Sequence, residues 1–107
     1  MSRRDTQTKA LKGMPQDNVA VILSSARAGD VIQLDCHGKI EALTCVTDIP
    51  TFHKIATVSI NHGDVVIRRG TPIGIATKTI GQGELVHIHN IKSQRAQIAA
   101  AQKTTAL

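Results

Sequence analysis

The stretch "ATVSINHGDVVIR", residues 56–68, indicates the fold of this chain most clearly, because the same pattern occurs in two other places. The other copies are "ILSSARAGDVIQL", residues 22–34, and "ATKTIGQGELVHI", residues 76–88. In each copy a small or aliphatic residue precedes an apolar residue by four positions. Glycine follows three positions later, and then an acid and an apolar pair. We interpret each copy as a strand, a turn whose glycine can adopt positive φ, and a second strand.

The remaining segments of the chain have the same strand-like character. They are short, rich in Val, Ile and Thr, and bounded by Gly, Pro, Asn or Asp. A chain of 107 residues with a single aromatic residue can form one small core, built from Ile, Val, Leu and Ala. The spacing of the copies is too irregular for a solenoid. The sequence therefore predicts one compact all-β domain of short, bent strands.

Both ends of the chain differ in composition from the middle. We assign residues 1–13 to a flexible basic tail, residues 14–91 to the β domain, and residues 92–107 to a basic, Ala- and Gln-rich tail. The second tail could form a short helix, with Ser93 as its N-cap. Its apolar content is low, so such a helix would need a partner chain to become ordered.

The net charge of +5 lies at the ends, since residues 13–90 together carry a charge of −1. A basic stripe on a folded face would indicate nucleic-acid binding, whereas basic tails are typical of solubilising extensions. With almost no aromatic side chains to stack on bases, the chain fits nucleic acid poorly. No apolar run approaches the ~18 residues of a membrane helix, and no signal peptide is visible. Cys36 and Cys45 form no disulfide framework or metal motif, so we expect a cytoplasmic protein.

The segment "GELVHIHN", residues 83–90, contains the candidate metal ligands. If it is a strand, His87 and His89 share one face and could bind one metal ion, with His53 as the third ligand. No carboxylate or cysteine with metal-ligand spacing stands beside them. The alternative is two half-exposed histidines on the solvent side of a strand.

Other polar side chains stand at predicted strand ends and turns. His53 and Lys54 open a strand, where Lys54 could bind a carboxylate as a point charge. His37 and His62 each precede a glycine and are predicted to be turn residues.

The stretch "VIRRGTPIGIAT", residues 66–77, combines a pair of arginines with turn-forming residues. Arg68 and Arg69 point to opposite faces of a strand, so one could clamp an anion while the other faces solvent. The spacing of Gly70, Pro72 and Gly74 predicts a sharp turn.

These stretches together resemble the SAF-type domain of the altronate/galactarate dehydratase and sulfolactate sulfo-lyase family, which has a β-clip fold. The resemblance covers about residues 14–95 and is specific only as a combination. Its motifs fall on "HKIA" at residues 53–56, "GTPIG" at residues 70–74 and "HIHN" at residues 87–90.

The resemblance implies a small subunit of a lyase, inactive alone, beside a large catalytic subunit. The complex would eliminate water from a sugar acid such as altronate or galactarate, with iron(II) or another divalent metal. The resemblance assigns substrate binding to His53, Lys54, Arg68, His87, His89 and Asn90. His87 and His89 could also bind the metal, completed by the partner. The chain could in addition form a homo-oligomer.

The chain departs from the family pattern at two places. The family commonly has Gly where this chain has Phe52, and Lys-Tyr where it has Arg68 and Arg69. The alternatives are a small subunit of (2R)-sulfolactate sulfo-lyase, which eliminates sulfite, and a stand-alone SAF module for ligand binding or assembly. Nucleic-acid binding through the tails would require affinity that collapses with salt.

Overall fold

The computed structural model describes residues 8–93, and within this range the chain forms strands, turns and bends but no helix. The predicted all-β class is confirmed. The nine strands are β1 Lys9–Leu11, β2 Val19–Ile22, β3 Val31–Cys36, β4 Lys39–Thr44, β5 Lys54–Ala56, β6 Val65–Arg68, β7 Thr71–Ala76, β8 Leu85–Val86 and β9 Ile91–Ser93.

The strands form two sheets. A six-stranded sheet has the order β4-β3-β1-β2-β5-β8, and a three-stranded sheet has the order β6-β7-β9. Every pairing is antiparallel except that of β1 with β3. Two-residue turns join β3 to β4 and β6 to β7. A longer connection joins the paired strands β1 and β2, and the remaining connections join strands that are not neighbours in a sheet.

The domain begins earlier than the boundary predicted at residue 14. Strand β1 lies between β2 and β3, and Ala10 at its centre is fully buried. A three-residue strand carries too little alternation to be detected beside a run of polar residues. Lys92 and Ser93, assigned to the C-terminal tail, lie in β9. The predicted helix from residue 94 onward lies outside the described residues.

The three sequence copies form the same turn, as the repeat predicted. In each copy the amide of the acid donates to the carbonyl three residues earlier, at 2.9 Å for Asp30, 2.9 Å for Asp64 and 3.1 Å for Glu84. The glycine before each acid has φ between +89° and +97°, and its amide donates to the carbonyl of Cys45, Ala76 or Ala56, at or just beyond the end of another strand. The apolar residue three positions after the glycine, Ile32, Val66 or Val86, is fully buried.

Each face of the six-stranded sheet covers a separate hydrophobic core. Ala20 and Ile22 of β2 face the first core. Two further segments, which pair with each other at Ala26 and Ile49, contribute both of these residues to the same core. Val19, on the other face, packs in the second core with residues of the three-stranded sheet. The second core covers only part of its face. The register places Leu11, Val21 and Lys54 side by side on the part that remains open.

Two consecutive side chains, Asp17 and Asn18, connect the two sheets just before β2. The buried carboxylate of Asp17 accepts hydrogen bonds from the amides of Arg69 at 2.6 Å and Gly70 at 2.8 Å. The Asn18 side chain accepts from the Ile67 amide at 2.7 Å and donates to the carbonyl of Val65 at 2.9 Å. Asp17 and Asn18 therefore supply to β6 and its turn the hydrogen bonds that a neighbouring strand would otherwise supply.

The three repeat glycines allow a matched test of turn strain against packing. Gly29, Gly63 and Gly83 share nearly the same positive φ, but an added Cβ meets nothing within 4 Å at the first two. At Gly83 the added Cβ would come within 2.2 Å of the Thr44 carbonyl oxygen. We expect G29A and G63A to lower the free energy of unfolding by about 1–2 kcal/mol. G83A should lower it by about 3 kcal/mol or more, because backbone must also move.

Urea denaturation of the three variants checks this expectation. Equal losses for all three would show that the packing of the third turn against the end of β4 does not contribute as described.

Candidate functional site

His53 and His87 are brought together at the β5–β8 end of the larger sheet. Lys54 pairs with Val86, so the residues just outside this pair meet, and the two imidazole centroids lie 4.8 Å apart with the rings tilted by 52°. The His53 Nδ1 atom lies 3.1 Å from the carbonyl oxygen of Thr51. Because a carbonyl only accepts, this contact suits a proton on Nδ1, and in that neutral tautomer Nε2 would keep its lone pair for a ligand.

The segment that follows Val86 is a turn, so the prediction that His87 and His89 share one face of a strand is wrong. The Asn90 side chain accepts from the His87 amide at 2.9 Å and donates to the Leu85 carbonyl at 2.8 Å. The backbone amide of Asn90 donates to the His87 carbonyl at 3.0 Å. An asparagine that closes a turn with its own side chain overrides the period-two alternation of "VHIHN".

The turn gives Asn90 and His89 different surroundings. Asn90 is buried, and both the oxygen and the NH₂ group of its side chain form hydrogen bonds within the turn. This favours a structural role over the predicted contact with substrate. His89 is exposed on the turn, and the imidazole that contacts His87 is that of His53. The substrate and metal roles given to these residues stay predictions.

A divalent metal would find an incomplete set of ligands here. Imidazole nitrogens suit iron and zinc, and His53 with His87 could supply two of them. Among residues 8–93, however, no three His, Cys, Asp or Glu side chains are grouped as a metal site. Further ligands would have to come from outside this part of the chain.

Lys54 and Arg68 form a cationic pair on the open part of the sheet. Both are half-buried, and within the described residues neither forms a salt bridge with a carboxylate. Burial, and after it the charge of Arg68, lowers the pKa of Lys54 below its ordinary value of 10.5. Two partly desolvated cations without an acid are typical of a surface that receives an anion.

Arg68 also lines a cavity of about 510 Å³ that the sequence analysis did not predict. It is bounded by β1, β2, the β3–β4 turn and the β6–β7 turn. Lys12 and Arg69 lie on it, so the conclusion that the basic residues belong to the tails rather than to a folded face is wrong for Lys12. The sequence did not indicate that Lys12 lies on a folded face, because this residue stands in the polar run before the first recognisable strand.

The turn predicted from Gly70, Pro72 and Gly74 is narrower than the motif. Arg69 and Gly70 form the β6–β7 turn, with φ of 53° and 72°. Arg69 therefore lies outside β6 and lines the same cavity as Arg68, so the prediction that the two arginines point to opposite faces of a strand is wrong. Pro72 and Gly74 lie within β7. A Cβ on Gly74 would come within 2.6 Å of the Lys92 carbonyl oxygen, so this glycine serves the close approach of β9.

The remaining histidines and the single phenylalanine are also placed. His37, with φ of 54°, and Gly38 form the β3–β4 turn, and His62 is exposed in the turn of the second copy, as predicted for both. Phe52 has φ of 66° and is 70% exposed beside His53. A bulky residue at positive φ costs about 1–2 kcal/mol, and burial of its ring does not offset that cost.

Comparison with known proteins gives one family. The family model for the altronate/galactarate dehydratase SAF domain matches residues 8–94. The chain is 36% identical over 83 residues to altronate dehydratase of Bacillus subtilis, a match that covers 78% of this chain and 16% of that protein. It is 41% identical over 56 residues to (2R)-sulfolactate sulfo-lyase subunit alpha of Paracoccus pantotrophus, covering 50% of this chain and 79% of that subunit. The chain thus matches about a sixth of the dehydratase's length.

The cationic pair gives a pH-dependent prediction. Because the folded state disfavours charged Lys54, the free energy of unfolding should rise with pH between the lowered pKa and the ordinary 10.5. R68M should raise the pKa of Lys54, since it removes one of the two causes of the shift.

NMR titration of the Lys54 side chain, assigned by its loss in K54M, measures this pKa. R27M, which removes an exposed arginine elsewhere, should leave the value unchanged. Equal pKa values in R68M and the unmodified chain would contradict the proximity of the two cations.

Proposed function

The chain belongs to the altronate/galactarate dehydratase SAF domain family, and from this premise we propose that it is the small subunit of a sugar-acid hydro-lyase. In this proposal it is inactive alone and lies beside a larger catalytic chain. It helps to bind the carboxylate of a polyhydroxy acid, with altronate or galactarate as the substrates to test first.

The observation that carries this proposal is the half-buried pair of Lys54 and Arg68 without a carboxylate partner among residues 8–93. A substrate carboxylate would supply the missing charge. Arg68 can bind it with two parallel hydrogen bonds, and Lys54 can bind it as a compact point charge. Such binding would also stabilise the charged form of Lys54, which burial disfavours.

The surroundings of the histidine pair support a covering partner. Phe52 and Ile88 directly adjoin His53 and His87 in the chain, and their exposed fractions are 70% and 82%. Large apolar side chains this exposed, one of them on a strained backbone, favour burial against another protein. In the proposed complex His53 and His87 complete the active site from the side of the small subunit.

Iron(II) or another divalent metal would in this proposal be held mainly by the large chain, since the described residues offer at most the two imidazoles of His53 and His87. Bound there, such an ion would stabilise negative charge that develops on the substrate. The role proposed for the small subunit is to hold the carboxylate and to exclude water.

A small subunit of (2R)-sulfolactate sulfo-lyase is the second candidate. The subunits alpha of Paracoccus pantotrophus and Chromohalobacter salexigens match at 41% and 40% identity, and the match covers 79% and 50% of their lengths. The Arg68–Arg69 pair favours a more strongly anionic substrate, such as one that carries a sulfonate beside its carboxylate.

The test is to purify the tagged chain from its source organism with whatever chain accompanies it, and to assay the complex with iron(II). Release of water from altronate or galactarate would support the first candidate, and release of sulfite from (2R)-sulfolactate the second. A chain that is recovered alone, and a complex that acts on neither class of acid, would both favour the stand-alone module.

In an active complex we expect K54M to lower kcat/KM by about tenfold or more, mainly through KM, because a buried charge contact of about 1.4 kcal/mol is lost. H53A with H87A should greatly reduce turnover. K78M and H62A are matched controls, because both side chains are exposed outside the site and should leave kcat/KM unchanged. Subunit assembly, followed by size-exclusion chromatography, should persist in all four variants. Unchanged kcat/KM in K54M and in the double histidine variant would contradict the proposal.

A further inference from the structure

The cavity on the open part of the larger sheet has the parts of a binding site. Its floor is apolar, formed by Leu11, Val21 and Leu23, which the sheet register places on one face. The β6–β7 turn and the β3–β4 turn line it as well. A volume of about 510 Å³ is within the range of small-molecule sites.

The charges around this cavity are unbalanced. Lys12, Arg68 and Arg69 line it, and Asp35 is the single carboxylate among its lining residues. One Asp35 oxygen already accepts the Gly38 amide at 2.8 Å, which leaves the other free to accept a hydroxyl group. The cavity therefore combines a cationic side for an acid with one acceptor for an alcohol.

The backbone on the cationic side of the cavity is held by contacts within the chain. Asp17 fixes the Arg69 and Gly70 amides, and a Cβ on Gly13 would come within 2.7 Å of the Arg69 Cγ. His37 Nε2 hydrogen-bonds the Gly13 carbonyl, so the two turns that line the cavity meet at this one glycine. A backbone fixed in this way lowers part of the entropy that binding costs.

We propose that this cavity binds a short hydroxy acid, with Arg68 and Arg69 on a carboxylate, Asp35 on a hydroxyl group, and the carbon chain against Leu11 and Val21. The inference deepens the proposed function and rests on it only for the identity of the acid. Lys12, Asp35 and Arg69 are the charged residues that it adds to the site. Binding of a small acid to the isolated chain does not depend on a partner, so it can be tested separately from catalysis.

The experiment is an NMR titration of the ¹⁵N-labelled chain with tartrate, a dianionic hydroxy acid, at constant ionic strength. We expect saturable shifts of the amides of Gly13, Gly38, Arg69 and Gly70. Erythritol, which has the hydroxyl groups but no charge, should cause none of these shifts. Sulfate should compete with tartrate if the arginines provide the anchor.

Variants separate a built site from general attraction to cations. R69M should weaken tartrate binding by about tenfold or more, and R69K should restore it only in part because the forked geometry is lost. G13A keeps every charge but should weaken binding by displacing Arg69. R27M is the matched control for net charge and should bind as the unmodified chain does. The amide spectrum of each variant shows whether the fold is kept.

Non-saturable shifts spread over all exposed cations, or equal loss in R69M and R27M, would overturn the inference. If R69M binds tartrate normally while K54M impairs the active complex, the cavity assignment fails and the proposed function stands. If the isolated chain binds tartrate as expected but no complex forms a lyase, the proposed function fails and the cavity assignment stands.

Discussion

The hydrogen bonds of Asp17 and Asn18 are the contacts on which the rest of this small domain depends. A buried carboxylate that accepts two successive amides fixes the Arg69–Gly70 turn, and an asparagine amide satisfies two backbone groups of β6. Charge-assisted hydrogen bonds in a buried setting each contribute about 1.5–3 kcal/mol. They hold the smaller sheet over the second core, and they also bring two arginines to the edge of the open sheet face.

The proposed function depends on how little of that face is covered. Val19 lies under the second core, while Val21, two residues later on the same face, lies at the cavity. Lys54 is in register with Val21 and within the electrostatic influence of Arg68. Strand β2 therefore contributes Val19 to the second core where its face is covered, and Val21 to the floor of the cationic cavity where the same face is open.

The parts of the structure that the sequence predicted are those determined by local chemistry. The glycine-acid turns follow from positive φ and from a hydrogen bond across three residues, so the repeat identified them at Gly29, Gly63 and Gly83. The histidine turn was missed because the pattern "VHIHN" suits a strand equally well, and only the Asn90 contacts favour the turn. The link from Asp17 to the β6–β7 turn gave no local signal, since the Arg69 and Gly70 amides lie more than fifty positions along the chain. The same holds for the cavity, whose lining residues come from four separate segments.

We infer that Asp17 holds the Arg69–Gly70 turn in place, and native-state hydrogen exchange of D17N tests this most directly. Asparagine has the same shape as aspartate but lacks its charge and one acceptor, so the Arg69 and Gly70 amides should exchange about 10–100 times faster, corresponding to about 1.5–3 kcal/mol. The amides of the β3–β4 hairpin should exchange in D17N at rates closer to those of the unmodified chain. Unchanged exchange at Arg69 and Gly70 in D17N would contradict the account.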